Sequence, residues 1–121
     1  MSAISMIFVG LIALEHLFIA YVEIFAWTSK GPQMFPHLSV DFINSTKEMA
    51  ANQGIYNVFL AGGLIWSLAV RSAPWNLYLA AFFLGCVILA GIFGAFTSHK
   101  SIFFKQALPA IVAGAVLLLA R

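Results

Sequence analysis

Glu15, His16 and Glu23 lie inside the first of four stretches long and apolar enough to cross a bilayer, in a chain with few other charges. An ionisable side chain at membrane depth costs on the order of several kcal/mol unless it faces a bundle interior, water or a partner, so such groups mark candidate functional sites. A neutral imidazole accepts one hydrogen bond and donates another, and pairing with a carboxylate or an amide sets its tautomer. The chemistry these residues suit is hydrogen bonding to a ligand, or proton transfer by His16 and Glu23. At about 100° per residue, His16 and Glu23 nearly eclipse one another, with Ala13, Ala20 and Trp27 on the same stripe. Glu15 points about a quarter-turn away and is a candidate for proton coupling.

A second set of polar groups sits on the second apolar stretch. Asn52, Gln53, Tyr56 and Asn57 cover an arc of roughly 140° on a helix, leaving Ile55, Val58 and Phe59 on the other side. Gly63 and Ser67 extend this stripe, which predicts a groove of small or polar groups. Glu23 lies roughly 6 Å inside the end of the first helix, at a depth comparable with Asn52 and Gln53. His16 and Asn57 are each about 16 Å in, near the bilayer midplane. The expected site is a polar pocket between the first two helices, open toward their connecting loop, with His16 at its floor. Its ligand-binding candidates are His16, Glu23, Trp27, Asn52, Gln53, Tyr56 and Asn57.

Composition fixes the elements that must position these groups. The chain is 63% hydrophobic and 8% charged, against roughly 45–50% and about 25% in soluble domains, so it cannot build a water-exposed surface. The expectation is an all-α polytopic membrane protein, a single four-helix transmembrane bundle over residues 1–121 with a longer first loop. Its helices are placed at about 3–27, 46–70, 75–96 and 101–120. Lys30, Gly31 and Pro32 close the first, and Leu38, Val40 and Phe42 in the loop could lay a short amphipathic turn on the membrane surface. Ser45 and Glu48 have capping-box spacing for the second helix, and Ser72 is a candidate cap for the third. Pro109 is expected to kink the fourth. The first run has no basic residue before it and continues to Trp27, unlike a signal peptide. Lys30, Lys47, Lys100 and Lys105 flank the first and third connections, which favours these as cytoplasmic with both termini outside.

The block Asn-Gln-Gly-Ile-Tyr-Asn at 52–57, continuing to Gly63, with His16, Glu23, Trp27 and Phe35 upstream, resembles an uncharacterised family of small four-helix bacterial membrane proteins, domain of unknown function thirteen-oh-four. The resemblance covers essentially the whole chain. It implies the four-helix topology and a multi-pass place in the bacterial inner membrane, and it brings no activity, substrate or cofactor. Glu15 lies outside the resembling pattern.

Other features narrow the classes. No His has an i,i+4 His partner and no Glu-x-x-His pair exists, so no metal site is expected. Only His16 is at membrane depth, which argues against bis-histidine haem. Cys-x-x-Cys, a phosphate-binding glycine loop and a nucleophile elbow are missing. A formal charge of +2 gives no case for nucleic acid, and lone Cys86 reads as a small buried hydrophobe. The expected partners are the lipid bilayer and a small amphiphile, lipid or quinone-like molecule. The alternatives are a proton-coupled exporter working as a homodimer, with Glu15 central, and a non-catalytic assembly subunit. Asn52, Gln53 and Asn57 equally suit interhelical hydrogen bonds, His16 with Glu23 a structural pair, and Trp27 and Tyr56 packing anchors. The pairs Ala81/Gly85, Ala90/Gly94 and Gly91/Ala95 mark close helix packing, inside the subunit or across a dimer.

Overall fold

Long apolar runs without internal breaks leave helix as the only way to satisfy their backbone amides in lipid. The computed structural model describes residues 1–121 and contains helices and no strand. In chain order these are α1 (Ala3–Phe25), α2 (Trp27–Met34), α3 (Val40–Ser45), α4 (Lys47–Ala69), α5 (Trp75–Thr97), a π-helical turn (Phe103–Ala107) and α6 (Leu108–Ala120). Three stretches, Ala3–Phe25, Trp75–Thr97 and Phe103–Ala120, are long and apolar enough to cross a membrane. α4 equals α1 and α5 in length, at 23 residues, but its first half carries Lys47, Glu48, Asn52, Gln53 and Asn57.

The chain divides into two compact units. One comprises Met1–Ala13 with Leu60–Arg121, and the other Leu14–Phe59. The first has an apolar core in which Val9, Ile12, Leu64, Leu84, Val87 and Leu117 are buried together. Alanines and glycine let its helices approach closely: a Cβ built on Gly91 would lie 2.7 Å from the Cβ and the backbone N of Ala107. Gly91 thus packs inside the subunit, whereas Gly85 meets nothing within 4 Å. Gly63 does not open a groove, because the Phe83 ring fills the space beside it, and buried Ser67 spends its hydroxyl on the Leu64 carbonyl at 2.6 Å. Ahead of Pro109 the ladder shifts register, with the Leu108 amide donating to the Phe103 carbonyl across a wide turn. Such π turns accommodate a helix irregularity without breaking the element. α5 begins with Pro74 at its N-cap and no side-chain cap. Ser72 contributes its carbonyl, which accepts from the Asn76 amide at 3.1 Å, rather than its hydroxyl.

The second unit builds its core from Val22, Trp27, Ile43 and Ala50, with Met34, Phe35 and Leu38 packed against them. α1 stops at Phe25, the chain bends at Ala26 (φ −136°, ψ 25°), and α2 follows directly. Lys30, Gly31 and Pro32 therefore lie within α2 and do not close the first helix. The bend turns Trp27 into the core, and Gly31 leaves room for it: a Cβ there would stand 3.2 Å from Trp27 Cε3 and 3.3 Å from Ile43 Cδ1. Ser39 starts α3 by accepting from the Phe42 amide at 3.1 Å, and Asp41 sits favourably in its first turn. The expected Ser45–Glu48 capping box is replaced by a different arrangement. The Ser45 hydroxyl donates to the Phe42 carbonyl at 3.0 Å, closing α3, and the Thr46 carbonyl receives the Ala50 amide at the start of α4. Two helices meeting within one residue compete for the same hydroxyls, and the end of α3 takes them.

Candidate functional site

All eight residues singled out from the sequence fall in the unit Leu14–Phe59, but they occupy three environments. The first joins α1 to α4. The Asn57 amide donates to Glu23 Oε1 at 2.6 Å, and both side chains are buried. This contact exists because the helices nearly touch one turn earlier. A Cβ on Gly54 would stand 2.6 Å from Ile24 Cγ1, 3.1 Å from Glu23 Cβ and 3.2 Å from the Ala20 carbonyl oxygen. Gly54 and Asn57 are i and i+3, hence neighbours on one helix face, so the glycine brings the amide within reach of the carboxylate. Ala50 and Ala61 are buried on this same face of α4.

The second environment centres on two adjacent residues of α1. His16 is fully buried. Its Nδ1 lies 3.8 Å from Glu15 Oε1, within ion-pair range and too long for a hydrogen bond. Glu15 Oε1 is buried with no hydrogen-bond partner, although 32% of the Glu15 side chain is exposed. An acceptor in that position retains its desolvation cost until a donor arrives. Leu14 and Phe18 beside it face outward, so Glu15 is reached across an apolar surface.

The third environment is the outer side of α4. Asn52, Gln53 and Tyr56 are exposed and, with Glu48 and Met49, line an open hollow. Neither amide side chain makes a hydrogen bond within the chain. The four polar residues of this helix therefore do not share one pocket. The helix face centred on Ala50, Gly54, Asn57 and Ala61 turns inward, which places Asn52 and Tyr56 roughly 130–170° away from it. Trp27, in turn, belongs to the core of the unit. Its indole N–H donates to Thr46 Oγ1 at 3.2 Å and its ring lies 5.7 Å from that of Phe35.

Glu15 thus offers an unpaired acceptor beside the His16 imidazole, while the Glu23 carboxylate is engaged by Asn57. No three His, Cys, Asp or Glu side chains converge as metal ligands do. Sequence reasoning missed Gly54 as the determinant of the Glu23 contact, although its spacing of three from Asn57 was a usable signal. It also missed Thr46 as the acceptor for Trp27, for which the sequence carries no signal.

Residues 10–118 match the model of a family described as a protein of unknown function, DUF1304. The uncharacterised protein YpaA of Lactococcus lactis subsp. lactis (strain IL1403) is 33% identical over 115 residues, which cover 93% of this chain and 95% of that relative. No solved structure matches the chain.

Proposed function

Since the chain belongs to the DUF1304 family, whose description assigns no activity, we propose from its own residues that it is a four-span protein of the bacterial cytoplasmic membrane that binds a small amphiphile at Glu15 and His16. The observation that carries this reading is the buried, unpartnered Glu15 Oε1 beside a fully buried imidazole. A carboxylate oxygen at membrane depth without a donor is an incomplete site. A hydroxyl, amine or phenol head approaching from the lipid would supply the missing donor, while its apolar tail lies along Leu14 and Phe18. Lipids and reduced quinone-like molecules have this build. Proton transfer from such a head to Glu15, with His16 as the adjacent base, is the chemistry the pair suits. α4 serves as the fourth span, with Asn57 shielded by Glu23 and its charged residues Lys47 and Glu48 at the membrane surface. Glu23 on this reading braces α1 against α4 rather than contacting the ligand first.

The test is native mass spectrometry of the protein released from its own membrane, comparing wild type with Glu15→Gln and His16→Ala. The expected result is a small molecule retained by wild type and lost from both variants at unchanged thermal stability. Retention by all three would overturn the reading. An empty wild type whose Glu15 takes up protons during transport would replace it with the dimeric exporter, and a stably bound second protein with the assembly role.

A further inference from the structure

We propose that the outer side of α4 is a self-association seam, at which Asn52 of one subunit hydrogen-bonds the same residue of a second copy of this chain. The proposal rests on the reading that α4 crosses the membrane. Met49, Asn52, Tyr56 and Phe59 recur at spacings of three, four and three, the a/d pattern by which two helices interlock knobs into holes. All four are exposed, Met49 at 72%, Tyr56 at 60% and Phe59 at 58%. Tyr56 and Phe59 already hold an edge-to-face arrangement with centroids 5.8 Å apart, which gives the seam a fixed relief. Asn52 and Gln53 lie five and six residues past the start of α4, about 7–9 Å along it, so in a spanning helix they enter the hydrocarbon. There an amide without a partner is costly, and their side chains have none within the chain.

A second copy meets this need for a geometric reason. Copies inserted in the same orientation are related by a two-fold axis along the membrane normal, so each residue meets its equivalent at equal depth. An amide is both donor and acceptor and therefore complements itself. A single asparagine in an otherwise apolar seam also fixes register. Neither a lipid tail nor an apolar foreign helix offers an amide at that depth.

Disulfide mapping in native membranes tests this on a Cys86→Ala background. Met49→Cys and Phe59→Cys should each oxidise to a product of doubled mass, while Val58→Cys, exposed but on another side of the helix, should not. Adding Asn52→Ala should weaken self-association about 3- to 30-fold, read from the dilution dependence of the Phe59→Cys crosslink, the range expected from losing one interhelical hydrogen bond. Equal crosslinking at Val58, or none at Met49 and Phe59, would overturn the seam. So would a crosslink to a different protein, or a monomer that retains a lipid until Asn52 is replaced. Labelling of Ser45→Cys and Val70→Cys with a membrane-impermeant maleimide separates the premise from the proposal. Reaction from opposite sides establishes the span, so that a failed crosslink refutes the seam alone. Reaction from one side refutes the spanning reading and the seam with it.

Discussion

Gly54→Ala is the sharpest perturbation of the α1–α4 contact. The new methyl would stand 2.6 Å from Ile24 Cγ1 and 3.2 Å from the Ala20 carbonyl oxygen. Carbon pairs rest at about 3.5–4.0 Å, so the helices must part by roughly 1 Å. Neither contact is the far end of a flexible chain, so the strain cannot be relieved by one rotamer change, and overpacking of this kind costs ~1–3 kcal/mol. The same displacement, one turn from Asn57, stretches its 2.6 Å bond to Glu23 toward the ~3.6 Å at which a hydrogen bond is lost. That removes about 1.5–3 kcal/mol when the acceptor is charged. Alanine returns ~1 kcal/mol in helix propensity. The net expected destabilisation is about 1.5–5 kcal/mol. Gly62→Ala is the matched control, since nothing lies within 4 Å of a Cβ there, and it should be neutral or slightly stabilising. Thermal unfolding in lipid nanodiscs, followed by tryptophan fluorescence, reads both. A Gly54→Ala protein that melts at or above the Gly62→Ala protein would refute the close-contact argument.

Three further outcomes are expected. Asn57→Leu and Glu23→Leu, each of which removes one partner of the bond, measured singly and together by unfolding in mixed micelles, should show a coupling of about 1.5–3 kcal/mol; strict additivity would mean that their hydrogen bond contributes nothing. Trp27→Phe keeps an aromatic ring but removes the donor to Thr46, and should cost ~0.5–1.5 kcal/mol in the same assay, whereas Thr46→Ser, which keeps the hydroxyl that accepts from Trp27 and donates to the Phe42 carbonyl at 2.7 Å, should stay near wild type. Gly91→Ala forces a methyl against Ala107 and should lower the melting temperature, whereas Gly85→Ala, in open space, should raise it or leave it unchanged.

The path from sequence to site was uneven for physical reasons. Helical class was legible because apolar runs of this length have few other solutions in lipid, and the block at 52–57 was enough to point to the family. Helix ends were less legible. Ser45 and Ser72 have the composition of caps, but the Ser45 hydroxyl is drawn to the Phe42 carbonyl behind it, and Ser72 meets the start of α5 through its backbone carbonyl instead of its side chain. Lys30, Gly31 and Pro32 looked like a stop, yet burial of Trp27 above Gly31 keeps α2 helical through them.

Residue types and spacing by themselves determined that the chain is helical, that it carries spans fit for a membrane, and that the first of these, α1, holds two carboxylates and a histidine, Glu15, Glu23 and His16, within its apolar run. These follow from local periodicity and from the cost of placing charge in hydrocarbon, both of which act residue by residue. Only the tertiary structure decided which side of α4 faces inward. A polar arc of about 140° can turn either edge toward its neighbour. The closest approach at Gly54 chose the edge bearing Asn57, giving Glu23 its partner and leaving Asn52, Gln53 and Tyr56 outside. Rotation of a helix about its axis is set by the contacts of its smallest residues with another helix, and that information is not contained in either helix alone.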